Sequence, residues 1–247
     1  MLDDGLFDNF PMDAVYGLHN WPGLAVGRMA MRTGAAMAAM DVFEARIHGR
    51  GGHAALPHLA ADPITVGAQV VQAWQTVVSR NVKAIDPAVV SVTQFHAGDA
   101  WNVIPDSVLL RGTVRSFNQD VRALIQRRMQ EIAEGLCAAH GCRLEWWYDH
   151  RFPPTVNAPA ETAVAATAAR AVLGHDQVDT EVEPVTGSED FGYMLERKPG
   201  CYAFIGNGPG AGGCHLHSPH FDFNDDILPL GASYWVTLVE QVLAPTA

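Results

Sequence analysis

The sequence predicts an α/β fold, a partial parallel-sheet domain interrupted by an inserted α+β domain, and three observations predict it. Strands alternate with helices at both ends of the chain, which is the pattern of a parallel α/β sheet. The middle reads strand-helix-strand-strand-helix-strand, the ferredoxin-like split βαβ order. The character of the chain changes at the Gly- and Met-rich run 34–40 and again at Pro153-Pro154. These changes divide it into 1–36, 37–152 and 153–247, with the middle segment inserted into the domain made by the other two.

Each element has its own signal. Residues 13–18 form a short apolar run that reads as a buried strand. From Asp41, the side chains Val42, Glu44, Arg46 and His48 alternate with Phe43, Ala45 and Ile47, the period of a half-buried strand. Asp62-Pro63 supplies a cap and a first-turn proline for a helix over 64–78. Strands are expected at 88–96 and 107–117. Residues 120–139 place Val121, Leu124, Ile125, Met129, Ile132, Leu136 and Cys137 on one helical face, and Gly141 closes that helix. A fourth strand is expected at 143–148. Beyond it come a helix at 160–173, a strand at 181–185, a helix opening with Glu189-Asp190, a buried strand at 200–206 and a closing helix at 229–243.

Composition narrows the function. The chain has 247 residues, 16 basic against 27 acidic, for a net charge of −11. That balance argues against a nucleic-acid partner and against docking on an anionic membrane. Cys137, Cys142, Cys201 and Cys214 form no C-x-x-C pair, no apolar stretch has the length of a membrane span, and the first residues lack the pattern of a signal peptide. A reducing cytoplasm is the expected location.

Three segments set a histidine where glycine, proline or asparagine interrupts regular structure: Gly17-Leu18-His19-Asn20-Trp21-Pro22, Gly49-Arg50-Gly51-Gly52-His53-Ala54 and Cys214-His215-Leu216-His217-Ser218-Pro219-His220. A metal or catalytic site assembled from loops has this signature. His19 follows a buried strand, where an α/β sheet holds its ligands; it reads as a ligand for Zn²⁺ or Mn²⁺, or else as a strand-end histidine. The run 214–226 offers nitrogen and sulfur donors, with Asp222 and Asp225 able to orient an imidazole, or it is a polar loop capping the next helix. Sequence alone does not choose among its histidines. His53 is either a hydrogen-bond donor to a polarised carbonyl oxygen or a surface histidine in a turn. Asn102 and Arg115 are expected together at one end of neighbouring strands, where an amide and a guanidinium suit a substrate carboxylate; the alternative is a turn asparagine and a surface arginine. The two acids of 187–191 fit a helix N-terminus.

Taken in order, the motifs resemble the hippurate hydrolase and auxin-conjugate hydrolase group, amidohydrolases of the aminoacylase and succinyl-diaminopimelate desuccinylase superfamily of metallopeptidases. The resemblance is carried by the His19 and His53 segments, Asn102-Val-Ile-Pro105, Arg111-Gly-Thr-Val-Arg115, Pro153-Pro-Thr-Val-Asn157, Gly187-Ser-Glu189-Asp190-Phe191 and Leu216-His217-Ser-Pro-His-Phe-Asp-Phe-Asn-Asp225. It implies a catalytic domain with two divalent metal ions (Zn or Mn), interrupted by a lid and dimerisation domain through which a homodimer forms. By the matching positions, His19 and His217 are metal ligands. His53 is the lid histidine that polarises the scissile carbonyl, usually in the partner subunit's site. Asn102 and Arg115 hold the free carboxylate of an N-acyl amino acid. The reaction implied is hydrolysis of the amide by a metal-activated water, with a glutamate carrying the proton.

The resemblance also puts a Cys-x-His motif and a Glu-Glu pair ahead of the segment matching Met1, and this chain has neither. The expectation is therefore an N-terminally truncated member that holds one metal or none by itself. Asp3 and Asp4 do not replace the missing pair. Two other readings stand beside the enzyme: a catalytically incomplete remnant that dimerises or binds acyl amino acids, and a structural zinc module built from Cys214, His215, His217 and His220.

Overall fold

The structure is a computed structural model that describes residues 1–209 and 214–243. The chain opens with a single turn α1 (Leu6–Asn9), then β1 (Val15–Pro22), β2 (Met29–Ala30) and β3 (Gly34–Met37). There follow β4 (Ala39–His48), β5 (Gly52–His53), α2 (Pro63–Thr76), β6 (Ala88–His96), β7 (Val103–Ile104), β8 (Ser107–Ser116), α3 (Gln119–Ala139) and β9 (Arg143–Phe152). The remainder is β10 (Thr155–Asn157), α4 (Pro159–Leu173), β11 (Val178–Asp179), α5 (Gly192–Leu195), β12 (Gly200–Gly208) and α6 (Leu228–Val242). Two compact units result, one made of 1–37, 155–185 and 189–247, the other of 38–154 and 186–188.

In the first unit the main sheet has the order β1-β12-β2-β11. β12 runs parallel to β1 and antiparallel to β2, while β2 and β11 are parallel, so the sheet is mixed where a parallel one was expected. Every residue of β12 is buried, as expected of a strand covered on both faces. Its alternation sorts the core: Cys201, Ala203 and Ile205 pack in the cluster that holds Ala165 and Ala169 of α4 and Tyr234 and Leu238 of α6. Tyr202 and Phe204 belong to a second cluster with Ala36 and Met37. Residues 181–185 form only the isolated bridges Arg32↔Glu181 and Met37↔Val185, not the expected strand. The helix expected from Glu189 begins at Gly192 and lasts one turn.

The second unit is an antiparallel sheet of order β6-β8-β4-β9. β4 buries Ala39, Asp41, Phe43, Ala45 and Ile47 and leaves the residues between them half-buried. α2 and α3 supply the opposing core residues Val66, Val70, Trp74, Ile125 and Met129. The indole of Trp74 donates to the Met129 carbonyl at 2.8 Å, so the two helices are tied by a satisfied buried group. The caps are as the sequence indicates: Asp62 accepts from the Ile64 amide, Asn118 caps α3, and Gly141 takes a φ of 70° after it. A charged pair, Asp41 with Arg122, lies inside. Asp41 is fully buried and accepts from Arg122, from Tyr148 at 2.7 Å and from His150 at 3.1 Å.

Candidate functional site

His19 lies within β1, not in a loop after it, because the parallel pairing with β12 carries the strand on through Trp21. The strand ends at Pro22, and a proline lacks the amide that a longer ladder would require. The His19 Nδ1 stands 2.6 Å from the Asn20 carbonyl oxygen. A carbonyl only accepts, so Nδ1 carries the proton and the Nε2 lone pair is left for another partner. Trp21 at 6.0 Å and Tyr202 at 6.2 Å flank the imidazole edge-on.

His217 follows β12 in the chain and is exposed. Its φ of 67° makes it the one non-glycine residue with positive φ among the described residues. Such a conformation costs about 1 kcal/mol or more in a non-glycine residue and gathers at functional sites. Asn207, which sequence reasoning did not single out, connects this loop to β1. It is 1% exposed near the end of β12. Its side-chain oxygen accepts from Asn20 at 3.4 Å and from the Asn224 amide at 3.0 Å, and its Nδ2 donates to the Asp222 carbonyl at 3.4 Å. The neighbour of His19 and the segment after His217 are thus fastened to one buried amide.

Glu189 and Asp190 do more than open a helix. Tyr202 donates its hydroxyl to Glu189 Oε2 at 2.7 Å, and the Asp190 amide donates to Oε1 at 2.9 Å. Burial pushes the Glu189 carboxyl up, but hydrogen bonds from Tyr202, Asp190 and the backbone outweigh it and hold the group below its ordinary value. Asp190 is raised by its hydrogen bond to Glu189, by burial and by the neighbouring charge. Tyr202 is raised by burial first and then by the same carboxylate.

The remaining candidates lie in the second unit. β5 and β7 pair antiparallel with His53 opposite Val103, and the Ala54 amide donates to the Asn102 carbonyl at 2.9 Å. His53 and Asn102 are therefore neighbours, and both are exposed. The His53 Nδ1 accepts from the Ala55 amide at 3.0 Å, which leaves Nε2–H as an outward donor, the form required to polarise a carbonyl. Arg115 is elsewhere, contrary to expectation. β8 begins at Ser107, on the Asn102 side, and Arg115 lies next to its far end. At 3.4 Å per residue the intervening eight residues span about 27 Å. Arg115 is half-buried, its Nη1 donates to Ser188, and burial lowers its guanidinium against a partial offset from Asp41.

The donor chemistry of His19 fits a divalent metal. A ligating imidazole usually donates its other N–H to a carbonyl or carboxylate, as His19 does. No group of three His, Cys, Asp or Glu side chains among the described residues could hold an ion, which removes the structural zinc module at 214–220. No helix among the described residues is long and apolar enough to cross a membrane.

The sequence profile of Peptidase family M20/M25/M40 matches residues 1–241. An N-acetyl-L-cysteine deacetylase of Bacillus subtilis is 40% identical over 237 residues, covering 96% of this chain and 55% of the relative. The hippurate hydrolase of Campylobacter jejuni is 34% identical over 243 residues, covering 98% of this chain and 63% of the relative. The crystal structure of the Bacillus subtilis YxeP protein, described as a dinuclear metal binding peptidase, superposes with a TM-score of 0.82 at 29% identity. That match covers 99% of this chain and 61% of the other. The chain therefore spans between 55% and 63% of the length of these proteins.

Proposed function

This chain belongs to Peptidase family M20/M25/M40, and we propose that it acts as a metal-dependent amidohydrolase on the amide bond of N-acyl amino acids. The observation that carries the reading is His19, whose protonated Nδ1 rests on the Asn20 carbonyl and leaves Nε2 free as a metal donor. His19 and His217 would hold divalent metal, Zn or Mn. When bound, the metal supplies Lewis-acid polarisation of the amide and an acidified water.

The chain's own residues supply recognition. Arg115 grips the substrate carboxylate, with two parallel donors available to it. The Asn102 amide adds a donor or an acceptor. His53 presents Nε2–H to the scissile carbonyl oxygen, where negative charge develops. Asn102 precedes the start of β8 at Ser107, whereas Arg115 lies about 27 Å along that strand, so His53 and Asn102 do not meet Arg115 at one end of it. A homodimer in which one protomer supplies His53 and Asn102 and the other supplies Arg115 resolves the separation. The substrate class follows the relatives, two of which are named for acting on hippurate and N-acetylcysteine. A non-catalytic binding remnant is not favoured, because the relatives reported above are named as a deacetylase, a hydrolase and a peptidase.

The test is hydrolysis of hippurate and N-acetylcysteine by the protein loaded with Zn²⁺ or Mn²⁺. The reading expects amino-acid release that stops with a chelator and returns with metal. Metal-loaded protein that cleaves neither substrate, nor any other N-acyl amino acid in a panel, overturns it.

A further inference from the structure

We infer that Glu189 and Tyr202 form a positioning pair for His19, setting the orientation of its imidazole from behind; the inference rests on the reading of His19 as a metal ligand. Two motifs that the proposed reaction leaves unused, Gly187-Ser-Glu189-Asp190-Phe191 and Pro153-Pro-Thr-Val-Asn157, converge on Tyr202. Its ring lies across Gly17, the register partner of Tyr202 two residues before His19 on β1. A Cβ at Gly17 would come within 2.5 Å of the Tyr202 ring and 3.4 Å of Phe191. Only glycine lets the ring settle there, edge-on to His19 at 6.2 Å.

Three separate restraints hold the ring in place. Asn157, 1% exposed, accepts from the Tyr202 amide at 2.7 Å and donates to its carbonyl at 3.0 Å, fixing the backbone. Phe191 packs on the ring at 5.3 Å. Glu189 fixes the far end through the hydroxyl at 2.7 Å. Tyr202 and Trp21 both meet the His19 ring edge-on, so the position of the Tyr202 ring bears on the orientation of the imidazole. The Asn20 carbonyl selects its tautomer and the flanking rings select its plane. Glu189 thus acts on His19 through Tyr202 and needs no contact with substrate. Residues that orient a metal-bound histidine in this way typically contribute 10- to 100-fold to metal affinity.

The experiment compares Tyr202→Phe, Glu189→Leu and Glu189→Gln with the unaltered protein by two readouts. One is the set of His19 ring 1H–15N correlations in metal-free protein; the other is Co²⁺ or Zn²⁺ affinity. Tyr202→Phe keeps the ring and the fold while removing the tether, and Glu189→Gln keeps an acceptor for the hydroxyl. The inference expects Tyr202→Phe and Glu189→Leu to shift or split the His19 ring resonances and to weaken metal binding at least about tenfold. Glu189→Gln is expected to stay near the unaltered protein. His19 resonances unchanged in both Tyr202→Phe and Glu189→Leu overturn it. Resonances that shift in a protein that binds no metal even when unaltered support the positioning pair and sink the metal reading instead, so the two failures are distinct.

Discussion

At the scale of single residues, the polar groups behind His19 set a pH dependence that can be measured. Glu189 is held below the ordinary carboxylate value chiefly by the Tyr202 hydroxyl acting against burial. A carboxylate depressed in the fold adds stability above its unfolded value, about 4.3, and loses that contribution as pH falls through the folded value. Asp190 is raised, so it works in the opposite direction as pH rises past its own unfolded value. Tyr202→Phe removes the donor to Glu189 and leaves Asp190 in place. We expect this substitution to lower stability by about 1 kcal/mol at pH 7, since Glu189 is partly exposed, and by less at pH 3, below the unfolded value, where the contribution has begun to be lost in the unaltered protein. Urea unfolding at the two pH values checks this, and an equal loss at both contradicts it. These residues also show what the sequence hides. His19, His53 and His217 stood out because glycine, proline and asparagine surround them. Asn157 was visible only as the end of a motif with no role of its own, and Asn207 not at all, because their roles lie in partners 45 and 187 positions away. The separation of Arg115 from Asn102 was missed because antiparallel pairing sets Arg115 opposite Val89 near the start of β6, while Asn102 lies in the connection at the other end.

At the scale of elements, strands and helices with a strict period were legible and those set by tertiary pairing were not. β4 alternates and α3 carries an apolar face, so both were readable from local pattern. The Asn20-Trp21-Pro22 sequence read as a break, yet pairing with β12 keeps it in the strand. Residues 181–185 read as a strand but find only single bridges. Among the described residues β1 pairs on one side only in this sheet, and α6 nearby leaves Val236, Val239 and Val242 exposed, with Leu243 just beyond it. A cavity of about 480 Å³ opens between them, lined by Leu18, His19, Ile205, Phe223 and Trp235. Exposed apolar surface with an open strand edge is adhesive. Val236→Glu with Val239→Glu is expected to reduce binding of a hydrophobic dye and self-association of the isolated chain, with the thermal midpoint little changed because neither valine is buried. Dye fluorescence that stays the same would show that this face is not the adhesive one.

At the scale of the whole molecule, the proposal needs two copies. The His53–Asn102 flap and Arg115 lie at opposite ends of β8, so inactivating one group in each of two copies need not inactivate the pair. Mixing His53→Ala chains with Arg115→Ala chains is expected to restore about half of the activity per mixed pair, and about a quarter in an equal mixture that pairs at random, because one of the two sites of a mixed pair keeps both groups. Each variant alone is expected to be impaired. Mixtures no more active than the separate variants would place all the groups in one protomer's site.

The central claim is that His19 and His217 hold metal, and the most direct measurement is the Zn and Mn content of protein purified without chelators, beside His19→Ala and His217→Ala prepared identically. The account predicts at least one ion per chain in the unaltered protein and loss of bound metal in either variant. Metal absent from the unaltered protein, or retained in full by both variants, would contradict it.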